Sequence, residues 1–106
     1  MENVFKKIVA NRKKEVEALK AGLPAEKILE RLISAPAGRS FKGAMKAAKG
    51  MALIAEVKRA SPSKGVLMGP KQTPAKLAAI YAGAGATAVS VVTESKFFKG
   101  DGAMID

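Results

Sequence analysis

The stretch Met51–Gly65, MALIAEVKRASPSKG, decides how the rest of the chain is read. Met51 to Val57 is a short apolar run without helical spacing, bounded by Gly50 and the polar Ser-Pro-Ser-Lys-Gly segment, and this predicts a strand buried on both faces. Downstream, Thr73-Pro74 supplies a helix N-cap followed by proline at the first helical position, and Leu77, Ile80 and Tyr81 lie on one face of the helix that follows. Gly83 and Gly85 end it. Thr87 to Thr93, TAVSVVT, is rich in β-branched residues and predicts a second buried strand. The order strand, loop, helix, strand implies a right-handed parallel unit. From Glu94 to Asp106 the chain is polar and punctuated by glycine, with a further helix expected to begin there. Two parallel strands make a poor independent sheet, so further neighbours are expected beside them.

Upstream, Phe5, Ile8, Val9, Val16 and Leu19 recur at spacings that keep one apolar stripe on a helix from Glu2 to about Lys20, with Arg12 to Glu15 turned outward. Gly22 offers a stop and Pro24 a new start, which predicts a short helix over Pro24–Ser34. Ala35 to Gly38 is a loop. Ser40 caps a third helix from Phe41 to about Lys49, ending at Gly50. The fold class is therefore α/β, with a helical extension over residues 1–50 and the strand-helix-strand segment over 51–106.

The chain has 106 residues, 48% of them apolar, and neither cysteine nor histidine. Disulfides, thiolate metal sites and cysteine nucleophiles are excluded, and so is the imidazole that most often serves as acid, base or metal ligand. Catalysis would have to rest on Lys, Glu, Asp, Ser or backbone groups. The formal charge of +10 fits a nucleic-acid partner or an anionic small molecule. The basic residues are dispersed among Glu and Ala, which favours the small molecule; a small basic module for nucleic acid or another anion stands as an alternative. The first twenty residues lack the apolar core of a signal peptide, and no segment approaches the roughly 18 apolar residues of a membrane span. A cytoplasmic protein without membrane or nucleic-acid contact is expected.

The densest polar cluster, Glu56 to Gly65, begins at the C-terminal end of the first strand, the edge at which ligands bind in parallel α/β folds. Alternation puts Glu56 and Lys58 on one face and Val57 on the other. So close a carboxylate and ammonium can transfer protons or bind phosphate, or they can be an ordinary ion pair at a strand end. Ser61-Pro62-Ser63-Lys64-Gly65 lacks the GxxxxGK[ST] spacing of a P-loop and also reads as a simple turn. After the second strand, Lys96-Phe97-Phe98-Lys99-Gly100 can wall an aromatic substrate, or one phenylalanine can pack beneath the loop.

Together, IAEVKRASPSKG (Ile54 to Gly65), the Tyr81 to Ala86 stretch and SVVTESKFFKG (Ser90 to Gly100) resemble indole-3-glycerol-phosphate synthase in content, order and separation. The helical leader resembles the extra helices that precede the first barrel strand of that family. The resemblance implies a (β/α)8 TIM barrel that cyclises and decarboxylates 1-(2-carboxyphenylamino)-1-deoxyribulose 5-phosphate, a phosphorylated anthranilate-ribulose compound, without metal or organic cofactor. It assigns Glu56 and Lys58 as the catalytic pair, Lys58 for acid or electrostatic work and Glu56 for orienting it and the substrate hydroxyls. It places Ser61 and Pro62 in the lining of the substrate site and Phe98 beside the anthranilate ring. The chain departs from the family at Gly69-Pro70-Lys71-Gln72-Thr73-Pro74, where an acidic FDP-like stretch is usual, and at Asp101 to Asp106, where a GS-led helix start is usual. A full barrel takes about 250 residues, and the 106 residues hold material for two of its strands. A second catalytic lysine, a further glutamate and the phosphate-binding loops have no counterpart among them. The expectation is a truncated barrel, inactive alone, that self-associates or needs a complementing C-terminal fragment.

Overall fold

The computed structural model describes residues 3–105 of the chain. It divides into two compact units, with the boundary between Arg39 and Ser40.

The first unit contains helices α1 (Val4–Gly22) and α2 (Ala25–Leu32). Asn3 sets the start of α1: its side-chain oxygen accepts the Phe5 N–H at 2.9 Å, satisfying one of the amides a helix leaves unpaired at its N-terminus. The expected start at Glu2 lies outside the described residues. The helix runs through Gly22 and closes with Leu23 N–H donating to Leu19 O at 2.7 Å. Ile8, Val9 and Val16 of the anticipated stripe are half-buried, whereas Phe5 and Leu19 at its ends are exposed. Pro24 is the N-cap of α2 and not its first residue, because its carbonyl accepts from Lys27 and Ile28. α2 ends at Leu32, two residues before the expected Ser34. Its apolar face of Ile28, Leu29 and Leu32 is exposed.

The second unit begins with α3 (Phe41–Ala47), capped by Ser40, whose Oγ accepts the Gly43 N–H at 2.9 Å. It stops short of Lys49 because Ala48 turns extended, with ψ 128°. α3 touches the second parallel strand and lies in the second compact unit. Strand β1 (Ile54–Val57) pairs in parallel with β4 (Ala88–Val91), matching Ile54 to Ala88, Glu56 to Ser90 and Val57 to Val91. Between them, α4 (Pro74–Gly83) starts on Thr73, whose Oγ1 accepts from Lys76 N, and contacts both strands. Leu77 and Tyr81 are half-buried; Ile80, expected on the same face, is 63% exposed. The result is a mixed α/β unit with a small parallel sheet.

Several further expectations for this unit are corrected. β1 begins three residues later than Met51, because pairing begins only where β4 lies alongside; the entry is held by Thr87, which donates its N–H to Leu53 O at 2.8 Å and accepts the Leu53 N–H on Oγ1 at 3.0 Å. The strands are not buried on both faces. Val57 and Ala60 are the buried apolar side chains among the described residues, and Leu53 and Ile54 are about half exposed, because the pair packs mainly against α4, with α3 touching β4, and burial on both faces needs further neighbours. The polar segment after Lys58 is not a plain loop: β2 (Ala60–Ser61) pairs antiparallel with β3 (Gly65–Val66) in a small hairpin, extended by Leu67 and Met68 N–H groups that both donate to Arg59 O. At the end, the anticipated helix appears as one 3-10 turn, Gly102–Ile105, capped by Asp101 Oδ1 on Ala103 N at 2.8 Å.

Candidate functional site

β1 and β4 present their C-terminal ends at one edge, and three polar side chains meet there. Glu56 and Lys58 fall on the same face by the two-residue period of a strand. Lys58 Nζ stands 3.3 Å from Glu56 Oε1. The register sets Ser90 directly beside Glu56, and Ser90 Oγ donates to Glu56 Oε2 at 3.0 Å. Each carboxylate oxygen thus has its own donor, one charged and one neutral, which fixes the carboxylate plane. The Lys58 side chain is one-third exposed and that of Glu56 a little under half, so the ammonium keeps donors free for an incoming anion.

Ser90, the third member of this cluster, is not legible as a site residue in the sequence. A polar residue in the middle of the apolar run TAVSVVT was the available signal, but its meaning depends on pairing register, which no single strand reveals.

Ser61 and Pro62 sit in the β2–β3 hairpin. Ser61 Oγ accepts the Lys64 N–H at 3.1 Å, which is the local turn bond that serine commonly makes; among the described residues no hydrogen bond joins it to Glu56 or Lys58. Pro62 is exposed at the tip with Ser63 and Lys64. The structure therefore brings Glu56 and Lys58 together and leaves Ser61 and Pro62 on a projecting arm beyond them.

Phe98 follows β4 in a turn built on Glu94. It is half-buried, as is Phe97, and Lys96 Nζ lies 5.6 Å from the centre of the Phe97 ring, within cation–π range. A separate open cavity of about 200 Å³, lined by Arg59, Thr73, Pro74 and Asp101 among others, lies by the start of α4. It contains none of the anticipated site residues.

These features define an α/β protein with a carboxylate–ammonium pair at the C-terminal edge of parallel strands. A family model described as indole-3-glycerol phosphate synthase matches residues 5–106, and the chain belongs to that family. A relative of that name from Roseiflexus sp. (strain RS-1) is 43% identical over 100 residues, covering 94% of this chain and 37% of its own length. Relatives of the same name from Bacteroides thetaiotaomicron, 38% identical, and Crocosphaera subtropica, 41% identical, are covered over 38% and 33% of their lengths, with 94% and 92% of this chain matched. The chain spans between a third and two-fifths of the curated relatives it matches. No helix among the described residues is long and apolar enough to cross a membrane.

Proposed function

We propose that this chain supplies the helical leader and the first two βα segments of a (β/α)8 barrel. The assembled enzyme would convert 1-(2-carboxyphenylamino)-1-deoxyribulose 5-phosphate to indole-3-glycerol phosphate, carbon dioxide and water, in tryptophan biosynthesis in the cytoplasm. The observation that carries the reading is the Lys58–Glu56–Ser90 cluster at the C-terminal edge of a parallel pair, in a chain that the family model matches almost throughout.

In this reading Lys58 is the acid. Ring closure puts negative charge on the ribulose C2 oxygen as the aromatic carbon attacks, and an ammonium beside it stabilises that charge and donates a proton. Glu56, held on both oxygens, keeps Lys58 in place and accepts from substrate hydroxyls. Loss of CO2 restores the electron pair to the ring, and loss of the C2 oxygen as water completes the indole. Phe98 stands against the anthranilate ring, and Ser61 and Pro62 cover the substrate from the hairpin. None of these steps calls for a metal or organic cofactor.

The other barrel segments come from further polypeptide, either continuous with this chain or supplied in trans. Half-exposed Leu53 and Ile54, and Ile80 on α4, are the apolar surface such segments would cover. The same surface supports a second reading, self-association of several copies, which sedimentation distinguishes.

The test pairs the chain with a C-terminal fragment taken from a relative and follows formation of indole-3-glycerol phosphate. Turnover is expected only with the fragment, and Lys58→Ala should lower it by about a hundredfold or more. Undiminished turnover by Lys58→Ala overturns the assignment. A DNA titration whose affinity falls steeply with salt would favour the anion-binding alternative instead.

A further inference from the structure

We infer that Glu94 is a positioning residue that sets the place of Phe98, and through it the aromatic wall of the substrate site; the functional half of this inference rests on the reading of Phe98 proposed above. Glu94 lies three residues past β4, where the chain leaves the sheet. Its carboxylate accepts three successive backbone N–H groups, Lys96 on Oε1 at 3.0 Å and Phe97 and Phe98 on Oε2 at 2.8 and 3.0 Å. Its own carbonyl accepts the Gly100 N–H at 2.7 Å. One residue thus binds the turn from inside and closes its far end.

An ordinary turn cap satisfies one or two amides. Here the ionised acceptor collects three, and hydrogen bonds to an ionised group are shorter and stronger than neutral ones. All three bonds lie on the backbone that carries the two aromatic rings. Lys96 engages the Phe97 ring, while the Phe98 N–H is held directly on Glu94 Oε2. The far end is equally constrained: Gly100 is buried, and a Cβ there would stand 2.3 Å from Val92 O. The turn is therefore held at both ends against β4, and the Phe98 Cα is placed relative to the strand edge that carries Ser90 and Glu56.

Two measurements test this. In the 106-residue chain, amide exchange is compared between wild type, Glu94→Ala and Glu94→Gln. Glu94→Ala should speed exchange at Phe97, Phe98 and Gly100 while leaving Ile54 to Val57 unchanged. Glu94→Gln keeps one acceptor oxygen and should fall between. Unchanged exchange at Phe97 and Phe98 overturns the positioning role. In the chain complemented by its C-terminal fragment, Glu94→Ala should raise KM by about tenfold, the scale of one aromatic contact, with kcat little changed. Phe98→Ala should do the same, and the double variant should be no worse than either single one. A KM unchanged in Glu94→Ala, or losses that multiply in the double variant, overturns the coupling to Phe98. If the complemented wild type shows no turnover, it is the enzymatic reading that fails, and amide exchange alone decides the role of Glu94.

Discussion

The two segments that leave the parallel strands at the same edge are built on opposite principles. The one after β1 is closed by main-chain pairing, Ala60 with Val66 and Ser61 with Gly65, and its tip from Pro62 to Lys64 is exposed. The one after β4 is closed by a side chain, the Glu94 carboxylate on three amides, with Gly100 buried behind it. An exposed hairpin tip opens at lower free energy than a packed segment, whereas a turn bound on a carboxylate by three bonds is held in one shape. The edge thus pairs a projecting arm, bearing Ser61 and Pro62, with a bracket braced by a side chain, bearing Phe98. In the proposed reaction, the bracket would define where the aromatic ring sits and the arm would cover it afterwards.

Substitution of the glycine at each segment's critical point separates the two principles most sharply. At Gly100→Ala the new Cβ meets Val92 O at 2.3 Å and Thr93 C at 2.7 Å, both backbone atoms. No rotamer change relieves that clash, so the turn must detach from β4, at a cost of about 3 kcal/mol. A urea midpoint equal to wild type would show that the bracket is not held this closely. At Gly65→Ala nothing lies within 4 Å, but φ is +68°, a left-handed conformation that costs an L-residue about 1 to 2 kcal/mol. The loss should appear as faster exchange of the Leu67 and Met68 amides, with those of β4 untouched. Equal spread of the effect into β4 would mean that arm and bracket are one cooperative unit.

What the sequence disclosed divides along a similar line. The caps at Ser40 and Thr73 and the Glu56–Lys58 proximity are legible because each follows from a local period or a single residue's bonding habit, and the parallel pair because it follows from the order of the elements. The hairpin at Ala60–Val66 is not, since two-residue strands carry no periodicity and the SPSKG segment reads equally well as a turn. Two-faced burial of β1 was expected from apolar content alone, but burial depends on what lies alongside, and Ile54 is 51% exposed. Ser90 and Glu94 are not legible for a common reason. The partner of Ser90 is set by register across the sheet, and those of Glu94 by the backbone path of the residues after it. Neither can be read from the residue itself.

Lys99 offers a smaller and opposite effect within the bracket. It has φ 55° and is exposed, so its side chain neither fills a cavity nor explains the left-handed backbone that the turn requires there. Lys99→Gly removes the steric penalty on that conformation but also loosens the unfolded chain, which takes back part of the gain. Lys99→Asn tolerates the same φ without the second effect. Both should raise stability, by about 0.5 to 1 kcal/mol, with Asn at least equal to Gly, read as a higher urea midpoint.

The arm supplies the weakest contrast. Ser61→Ala removes one exposed bond, Oγ to Lys64 N, and should cost about 0.5 kcal/mol, since water replaces the lost acceptor at an open tip and the β2–β3 pairing remains. A loss as large as that at Gly65 would mean that the hairpin depends on its serine as the bracket depends on Glu94. The two segments would then differ in exposure alone and not in how they are held.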